Sequence, residues 1–232
     1  MEFRIIKKDS VTSTNDLLKN GVKEFKSGTV ISAKEQTAGR GRTGRSFFSP
    51  TTGLYFSVLL KDISTAPAGL TLTAATAVMK GIYEVFGIKT QVKWVNDIFL
   101  DGRKVCGILT EGAYCGDRLS YAVIGIGINL STDNFPDEIK STAGSLGVTD
   151  EKKDLLLEKI LAAFSDEIVS RNYIDFYRKN CLTIGRKVKL LAQGEEYAEG
   201  TAIDVSENGG LVVKLPDGTV KTVSYGEAKI TE

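Results

Sequence analysis

Apolar runs separated by glycine-rich turns organise this chain, and the spacing inside each run separates helix from strand. Residues 3–6 form a short strand candidate. Ser13 or Thr14 stands where an N-cap opens a helix through Asp16, Leu17, Leu18 and Lys19, with Gly21 to end it. Residues 29–33 and 53–60 have strand composition, and the Gly/Arg segment between them reads as a loop. Residues 66–86 are rich in Ala, Leu, Val and Met with no proline after Pro67, which predicts a largely buried helix. Three β-rich runs follow, 92–100, 103–111 and 119–130. Asp101-Gly102 between the first two predicts a tight hairpin, because both central turn positions favour positive φ. A second helix is expected over 151–169, where Leu157, Ile160, Leu161, Phe164 and Ile168 recur at i, i+3, i+4 spacing as a core-packing stripe.

After Cys181 the pattern shifts to short strands, 187–191, 198–205, 210–215 and 219–224, punctuated by Asn208-Gly209-Gly210 and Pro216-Asp217-Gly218. This predicts a small β-barrel appended to a main domain, with the division at 1–182 and 183–232. A chain of 232 residues is long enough to hold both without disulfide staples.

Composition narrows the chemistry by exclusion. Hydrophobic residues make up 42% and charged residues 25%, the balance of a globular protein, and no apolar run reaches the length of a membrane span. The first residues lack a secretion-signal layout, so a cytoplasmic protein is expected. Cys106, Cys115 and Cys181 form no CxxC pair and are read as buried thiols. There is no histidine, which removes the commonest transition-metal ligand and the usual base of Ser or Cys nucleophile enzymes. Catalysis must then rest on Lys, Arg, Asp, backbone amides or a hard cation. The net charge of +1 offers no broad field for nucleic acid.

Local charge is more informative. Between Lys34 and Arg45 lie four basic residues, one acid (Glu35) and three glycines. Gly39 to Ser46 satisfies GxGxxG and nearly satisfies the P-loop pattern, but Phe47-Phe48-Ser49-Pro50 and a strand follow where both motifs require a helix. What remains is a flexible loop whose amides can approach an anion and whose Arg40, Arg42 and Arg45 can neutralise phosphate oxygens. A solvated basic loop or a weak RNA-contacting patch is the competing reading. Lys93-Trp94-Val95-Asn96-Asp97 ends a strand with an amide and a carboxylate; Asp97 suits magnesium, and Asn96-Asp97 suits a plain turn equally well. Lys104 lies in an apolar strand beside Gly107 and either faces a cavity or points to solvent, which alternation alone slightly favours. Glycines at alternate positions in 123–129 leave one strand face bare, for a ligand or for tight packing.

Taken together, Thr12-Ser13-Thr14-Asn15, the 36–45 loop, 93–97, 103–107 and 125–129 occur in the order and spacing of the biotin protein ligases, and the chain resembles that family over nearly its whole length. The resemblance implies an α+β catalytic domain of mixed sheet, of the biotin/lipoate ligase type, with a C-terminal SH3-like β-barrel. It implies that biotin is activated with ATP to biotinyl-AMP and passed to a lysine of a biotin carboxyl carrier protein, such as that of acetyl-CoA carboxylase. Ser13, Thr14, Gln36, Gly39 and the backbone of Arg40 match positions that hold the ureido ring, and Gly107, Gly125 and Gly127 match its slot. Arg42 and Arg45 match phosphate-facing positions, Asn96 and Asn129 nucleotide-facing ones, Phe47 an aromatic that covers adenine, and Asp97 the Mg2+ end. Lys104 matches the lysine bridging the biotin carboxylate and α-phosphate, so Lys104 and Arg42 are the catalytic expectations.

Three departures stand out: Val95 replaces the usual proline, Thr43 replaces an arginine of some members, and Phe47 replaces a frequent tryptophan. Members that double as repressors begin with a helix-turn-helix domain, whereas here the motifs start by Thr12, so the expectation is a ligase without DNA binding; a homodimer is possible. A lipoate-type ligase and a non-catalytic RNA-binding module are the alternatives.

Overall fold

An unbroken apolar strand is stable only when both faces are covered, and the 54–60 run is placed accordingly. In the computed structural model, which describes residues 1–63, 67–116, 118–192, 195–224 and 226–231, β3 (Gly53–Ile63) is buried from Gly53 through Leu60. Around it lie β1 (Arg4–Val11), β2 (Thr29–Gln36), β4 (Gln91–Lys93), β5 (Asp97–Leu100), β6 (Arg103–Cys115) and β7 (Arg118–Asn129). They form one mixed sheet in the order β1-β2-β3-β7-β6-β5-β4. Only β1 and β2 pair in parallel, as strands joined through a crossover helix must, and every other pairing is antiparallel.

That crossover is α1 (Thr14–Asn20), with Ser13 as N-cap accepting from the Asp16 amide and Gly21 as C-cap. The opposite face of the sheet is covered by α2 (Pro67–Phe86), which buries residues all round its circumference and so lies inside the protein. Ala66, at the start of the expected helix, lies outside the described residues. Behind α2 packs α4 (Lys153–Ser170), through Leu156, Leu157, Ile160, Leu161 and Phe164. The two helices approach so closely that a Cβ at Gly81 would stand 2.6 Å from Ile160 Cγ1. The Asp101-Gly102 hairpin has φ of 49° and 76°, the two positive values its dipeptide predicts.

Four features differ from expectation. The 92–100 run is broken into β4 and β5 by a turn at 94–96, with a cis Trp94–Val95 peptide. Two short helices, α3 (Asp137–Lys140) and α5 (Tyr173–Lys179), have no apolar period long enough to read. α5 is held by tertiary contacts instead: Tyr177 is fully buried and donates to Val95 O at 3.0 Å, and Arg178 Nε donates to Val205 O at 2.8 Å. Finally, Cys106 and Cys181 are buried, but Cys115, on the end of β6, is exposed, as is its neighbour Tyr114; burial falls away on both faces toward this end of the strand.

The C-terminal strands are β8 (Lys187–Ala192), β9 (Glu195–Val205), β10 (Leu211–Lys214), β11 (Val220–Val223) and β12 (Glu227–Ile230). They make an antiparallel sheet of order β11-β10-β9-β8-β12, the SH3-like unit. It is fastened to the main sheet by Trp94, whose Nε1 donates to Gly209 O at 2.9 Å and whose backbone N donates to Thr183 Oγ1 at 2.9 Å. This places β12 over the rim of the main sheet. No helix among the described residues is long and apolar enough to cross a membrane.

Candidate active site

The glycines of the sheet create a shallow floor. Register sets Gly107 of β6 opposite Gly127 of β7, and Gly125 opposite Ser57 of β3 and Leu109 of β6. Because alternate residues share a face, Gly107, Gly125 and Gly127 face the same side, and a cleft of about 540 Å3 opens there. Every residue that the resemblance assigns to the site lines that cleft except Gly39. Gly39 lies behind it, where an added Cβ would meet Phe47 O at 2.4 Å. The bare floor is not empty space. The Asn15 amide occupies the side-chain position of Gly125, with Oδ1 2.1 Å from where a Cβ would be, and the Phe47 ring covers the other two glycines, 2.5 and 2.9 Å from where Cβ atoms on Gly127 and Gly107 would stand. Phe47 itself packs edge-on against Tyr55 of β3, whose buried hydroxyl has no partner and whose ionisation burial disfavours, raising its pKa. Neither Tyr55 nor the Asn15 contact was visible in the motifs.

One end of the cleft is polar and built by α1 and β2. The Thr14 amide donates to Gln36 Oε1 at 2.9 Å, Gln36 Nε2 donates to Ser49 Oγ at 3.0 Å, and Ser49 donates on to Phe47 O at 2.9 Å. The amide of Gln36 is therefore held in one orientation. Below it, Lys19 pairs with Glu111 at 2.7 Å and Asp16 at 3.1 Å. Burial works against the charge on Lys19, but the two carboxylates outweigh it and raise its pKa.

The Gly/Arg segment is a small hairpin. Arg40 bridges Ser46, Gly41 N donates to Arg45 O at 2.7 Å, and the tip at Thr43 and Gly44 turns with φ of 52° and 76°. No helix follows, so the dinucleotide and P-loop readings fail on structure as they do on context. The arginines are spread over three supports. Arg40 pairs with Asp16 at 2.6 Å, Arg42 donates to Asn96 Oδ1 at 3.0 Å and to Gly226 O, and Arg45 pairs with Glu227 at 3.0 Å. Two of the three thus lean on β12 or the residue before it, a contact no local motif announces. Lys34 turns away and pairs with Asp9 at 2.7 Å.

The other end carries Lys104, which faces the cleft and not bulk solvent. Its Nζ stands 2.6 Å from Asp97 Oδ1, a close charge contact without the alignment of a directed hydrogen bond, and 5.9 Å from the centre of the Phe47 ring. Asn96 is both a turn residue and a cleft residue: its Nδ2 donates to Ile108 O at 2.9 Å while its Oδ1 receives Arg42. Asn129 is 4% exposed; its Nδ2 donates to Gly144 O at 2.9 Å and its Oδ1 is buried with no partner. An apolar lobe beside it is formed by Phe48, which packs edge-on against Phe135, and by Ile139. Motif reading missed this lobe, since α3 and its flanking loop assemble it only in space; the apolar Phe135 and Ile139 in a polar stretch were the one available signal.

The residues offer no cage for a resident metal. Asp97 is a lone carboxylate whose Oδ1 already carries an ammonium, and among the described residues no three His, Cys, Asp or Glu side chains converge. A divalent ion fits here only as cargo on a polyphosphate, since Mg2+ keeps its waters and takes one or two carboxylates beside phosphate oxygens.

Comparison with known proteins agrees with this arrangement. Residues 7–129 match the biotin/lipoate A/B protein ligase family, and residues 183–229 match the biotin protein ligase C-terminal domain. The chain is 34% identical over 245 residues to the bifunctional ligase/repressor BirA of Bacillus subtilis, covering 97% of this chain and 73% of that protein. It is 31% identical to the biotin--[acetyl-CoA-carboxylase] ligase of Mycobacterium tuberculosis, over 86% of this chain and 78% of that one. Among solved structures, the biotin protein ligase from Aquifex aeolicus in complex with biotin and ATP superposes with a TM-score of 0.83 at 30% identity, covering 98% of each chain.

Proposed function

We propose a function from the premise that this chain belongs to the biotin/lipoate A/B protein ligase family and is a ligase: it joins biotin to AMP at the expense of ATP and transfers the biotinyl group to a lysine of a biotin carboxyl carrier protein. The observation that carries this reading is one cleft that combines a polar end at Thr14 and Gln36, a glycine floor, and Lys104, Arg42 and Arg45 at its far end. A ring with hydrogen-bonding edges, an aliphatic tail and a carboxylate meet those three regions in order. The Aquifex aeolicus ligase, whose structure holds biotin and ATP, supports the same two ligands here.

In the first step a carboxylate oxygen of biotin attacks the α-phosphorus of ATP, the bond to the bridging oxygen of the β-phosphate breaks, and pyrophosphate leaves. Both reactants are anions, so repulsion dominates the barrier and fixed cations are the remedy. Lys104 draws the biotin carboxylate and α-phosphate together, and Arg42 stabilises the charge that builds on the phosphoryl oxygens. For this Lys104 must exchange the Asp97 carboxylate for its substrates, and Arg42 and Arg45 must partly leave Asn96, Gly226 and Glu227. Magnesium enters with the triphosphate as part of the substrate. Asn129 Oδ1, an unpaired acceptor beside the apolar lobe, receives an N–H of the adenine that replaces Phe48 and Phe135 contacts with stacking. Phe47 vacates the glycine floor and covers the ligand instead. In the second step a neutral lysine amine of the carrier attacks the acyl carbon, AMP leaves with the bonding pair, and the amine gives up its proton.

Biotin-dependent exchange of labelled pyrophosphate into ATP tests the proposal, run beside lipoate and octanoate. Exchange with biotin alone is the expected result. Exchange driven by lipoate instead would transfer the protein to the other half of its family, and exchange with none of the acids would refute adenylation.

A further inference from the structure

Behind the polar end of the cleft runs a chain of side chains that the chemistry above does not use. Ser57, on β3, is 0% exposed, and Asn15, in the first turn of α1, is 4% exposed. Ser57 Oγ lies 2.6 Å from Asn15 Oδ1 and 2.7 Å from Thr14 Oγ1. Asn15 Nδ2 donates to Glu111 Oε2 at 2.8 Å and, more loosely, to Leu109 O at 3.3 Å. Glu111 Oε1 is taken by Lys19 at 2.7 Å.

Donor and acceptor inventory fixes the direction of every proton in this chain. A carboxylate and a carbonyl only accept, so the amide nitrogen of Asn15 must face Glu111 and Leu109, and its oxygen must face Ser57. Turning the amide round would press its oxygen against a carboxylate. The single proton of Ser57 is then committed to Asn15 Oδ1. At the 2.7 Å contact between Ser57 and Thr14 the donor is consequently Thr14. Its other outlet, Gln36 Oε1 at 3.1 Å, also lies within the protein and already receives the Thr14 amide. The Thr14 hydroxyl thus shows the cleft its lone pairs and no proton.

We infer that Glu111, Asn15 and Ser57 act as positioning residues that hold the Thr14 hydroxyl as an acceptor, so that the ring end of the cleft selects an acid carrying an N–H donor. This rests on the reading that biotin is the acid bound. A urea nitrogen meets the Thr14 lone pair with a proton. A dithiolane ring or a plain alkyl end has none, and would bury that lone pair unpaired, a loss large against any packing it gains. Discrimination between the two kinds of acid served by this family would therefore be set behind the pocket wall as well as on it.

The test compares dissociation constants of the full-length wild-type and Ser57→Ala proteins for biotin and desthiobiotin, which carry urea N–H groups, and for lipoate and octanoate, which do not. In Ser57→Ala the Thr14 proton is left with only Gln36 Oε1, at 3.1 Å and already taken by the Thr14 amide, so it is freed to turn toward the cleft, and Asn15 Oδ1 has lost its donor. The expected result is weakening of the two urea acids by about ten-fold, with lipoate and octanoate unchanged and with turnover at saturating biotin unchanged. A second variant keeps the inference open to test if that one melts early: Glu111→Leu removes the carboxylate that fixes the Asn15 amide, frees the amide to turn and loses the selectivity. Equal weakening of all four acids, or unchanged selectivity in both Ser57→Ala and Glu111→Leu, overturns the relay while leaving the ligase reading intact. Failure of the wild-type protein to take up biotin overturns both.

Discussion

Placing a methyl group on Gly125 is the sharpest structural perturbation this protein offers. An ideal Cβ there would stand 2.1 Å from Asn15 Oδ1 and 2.8 Å from its Cγ. The backbone has no room to withdraw, because Gly125 is held in register between Ser57 on one side and Leu109 on the other. The Asn15 amide must leave, and three hydrogen bonds go with it, from Ser57 at 2.6 Å and to Glu111 and Leu109 at 2.8 and 3.3 Å. At about 1 kcal/mol net for each bond, and less for the long one, Gly125→Ala should cost roughly 2 to 3 kcal/mol. For a chain of this length that lowers the melting temperature by roughly 4 to 12 °C. Thermal unfolding followed by circular dichroism measures the shift, and biotin titration of the same samples should show weakened binding, since Thr14 loses its orientation. A variant that melts within a degree of wild type and binds biotin normally would refute the claim that the amide fills the glycine's place.

Other outcomes follow from single contacts. Lys104→Ala should abolish most biotin-dependent pyrophosphate exchange while moving the melting temperature little, because Lys104 and Asp97 are both partly solvated and their pairing adds about 1 kcal/mol or less; full exchange would place the lysine outside the reaction. Glu227→Ala removes the competitor that holds Arg45 away from phosphates. Arg45 is 69% exposed in that pair, so the competition is worth at most about 1 kcal/mol and the KM for ATP should fall by no more than roughly five-fold; a rise in KM would mean that Glu227 assists the nucleotide. A thiol reagent at neutral pH should label Cys115 alone, since burial raises the pKa of both Cys106 and Cys181; mass spectrometry of the labelled peptides reads the outcome directly.

Much of this protein is legible one residue type at a time. Composition located α2, periodicity located α4, and the Asp101-Gly102 dipeptide located its hairpin, because propensity, local spacing and turn chemistry act within a few residues. The motifs also marked Lys104, Arg42, Arg45, Asn96 and Asn129, all of which converge on one cleft. The lysine illustrates the limit: strand alternation alone leaned toward solvent, and only the docking of the distant 139–144 segment along β6 closes the cleft that Lys104 enters. In the same way, three alternate glycines state that a face is bare without stating what lies on it. Asn15 and Phe47 come from segments distant in sequence, and only the packing of α1 and the 39–47 hairpin against the sheet brings them there.

The sequence by itself determined the long helices and most of the strands, which side chains can carry charge without histidine, and where the backbone is free of Cβ atoms, because each of these is a property of neighbouring residues; the short α3, α5 and β12 escaped it. The tertiary structure alone decided that β12 supports the phosphate-facing arginines, that Phe48, Phe135 and Ile139 form one lobe, and that the proton of Thr14 points inward. Those depend on contacts between residues tens to hundreds of positions apart, whose geometry is set by the sheet order and the docking of the barrel and is not encoded in any local pattern.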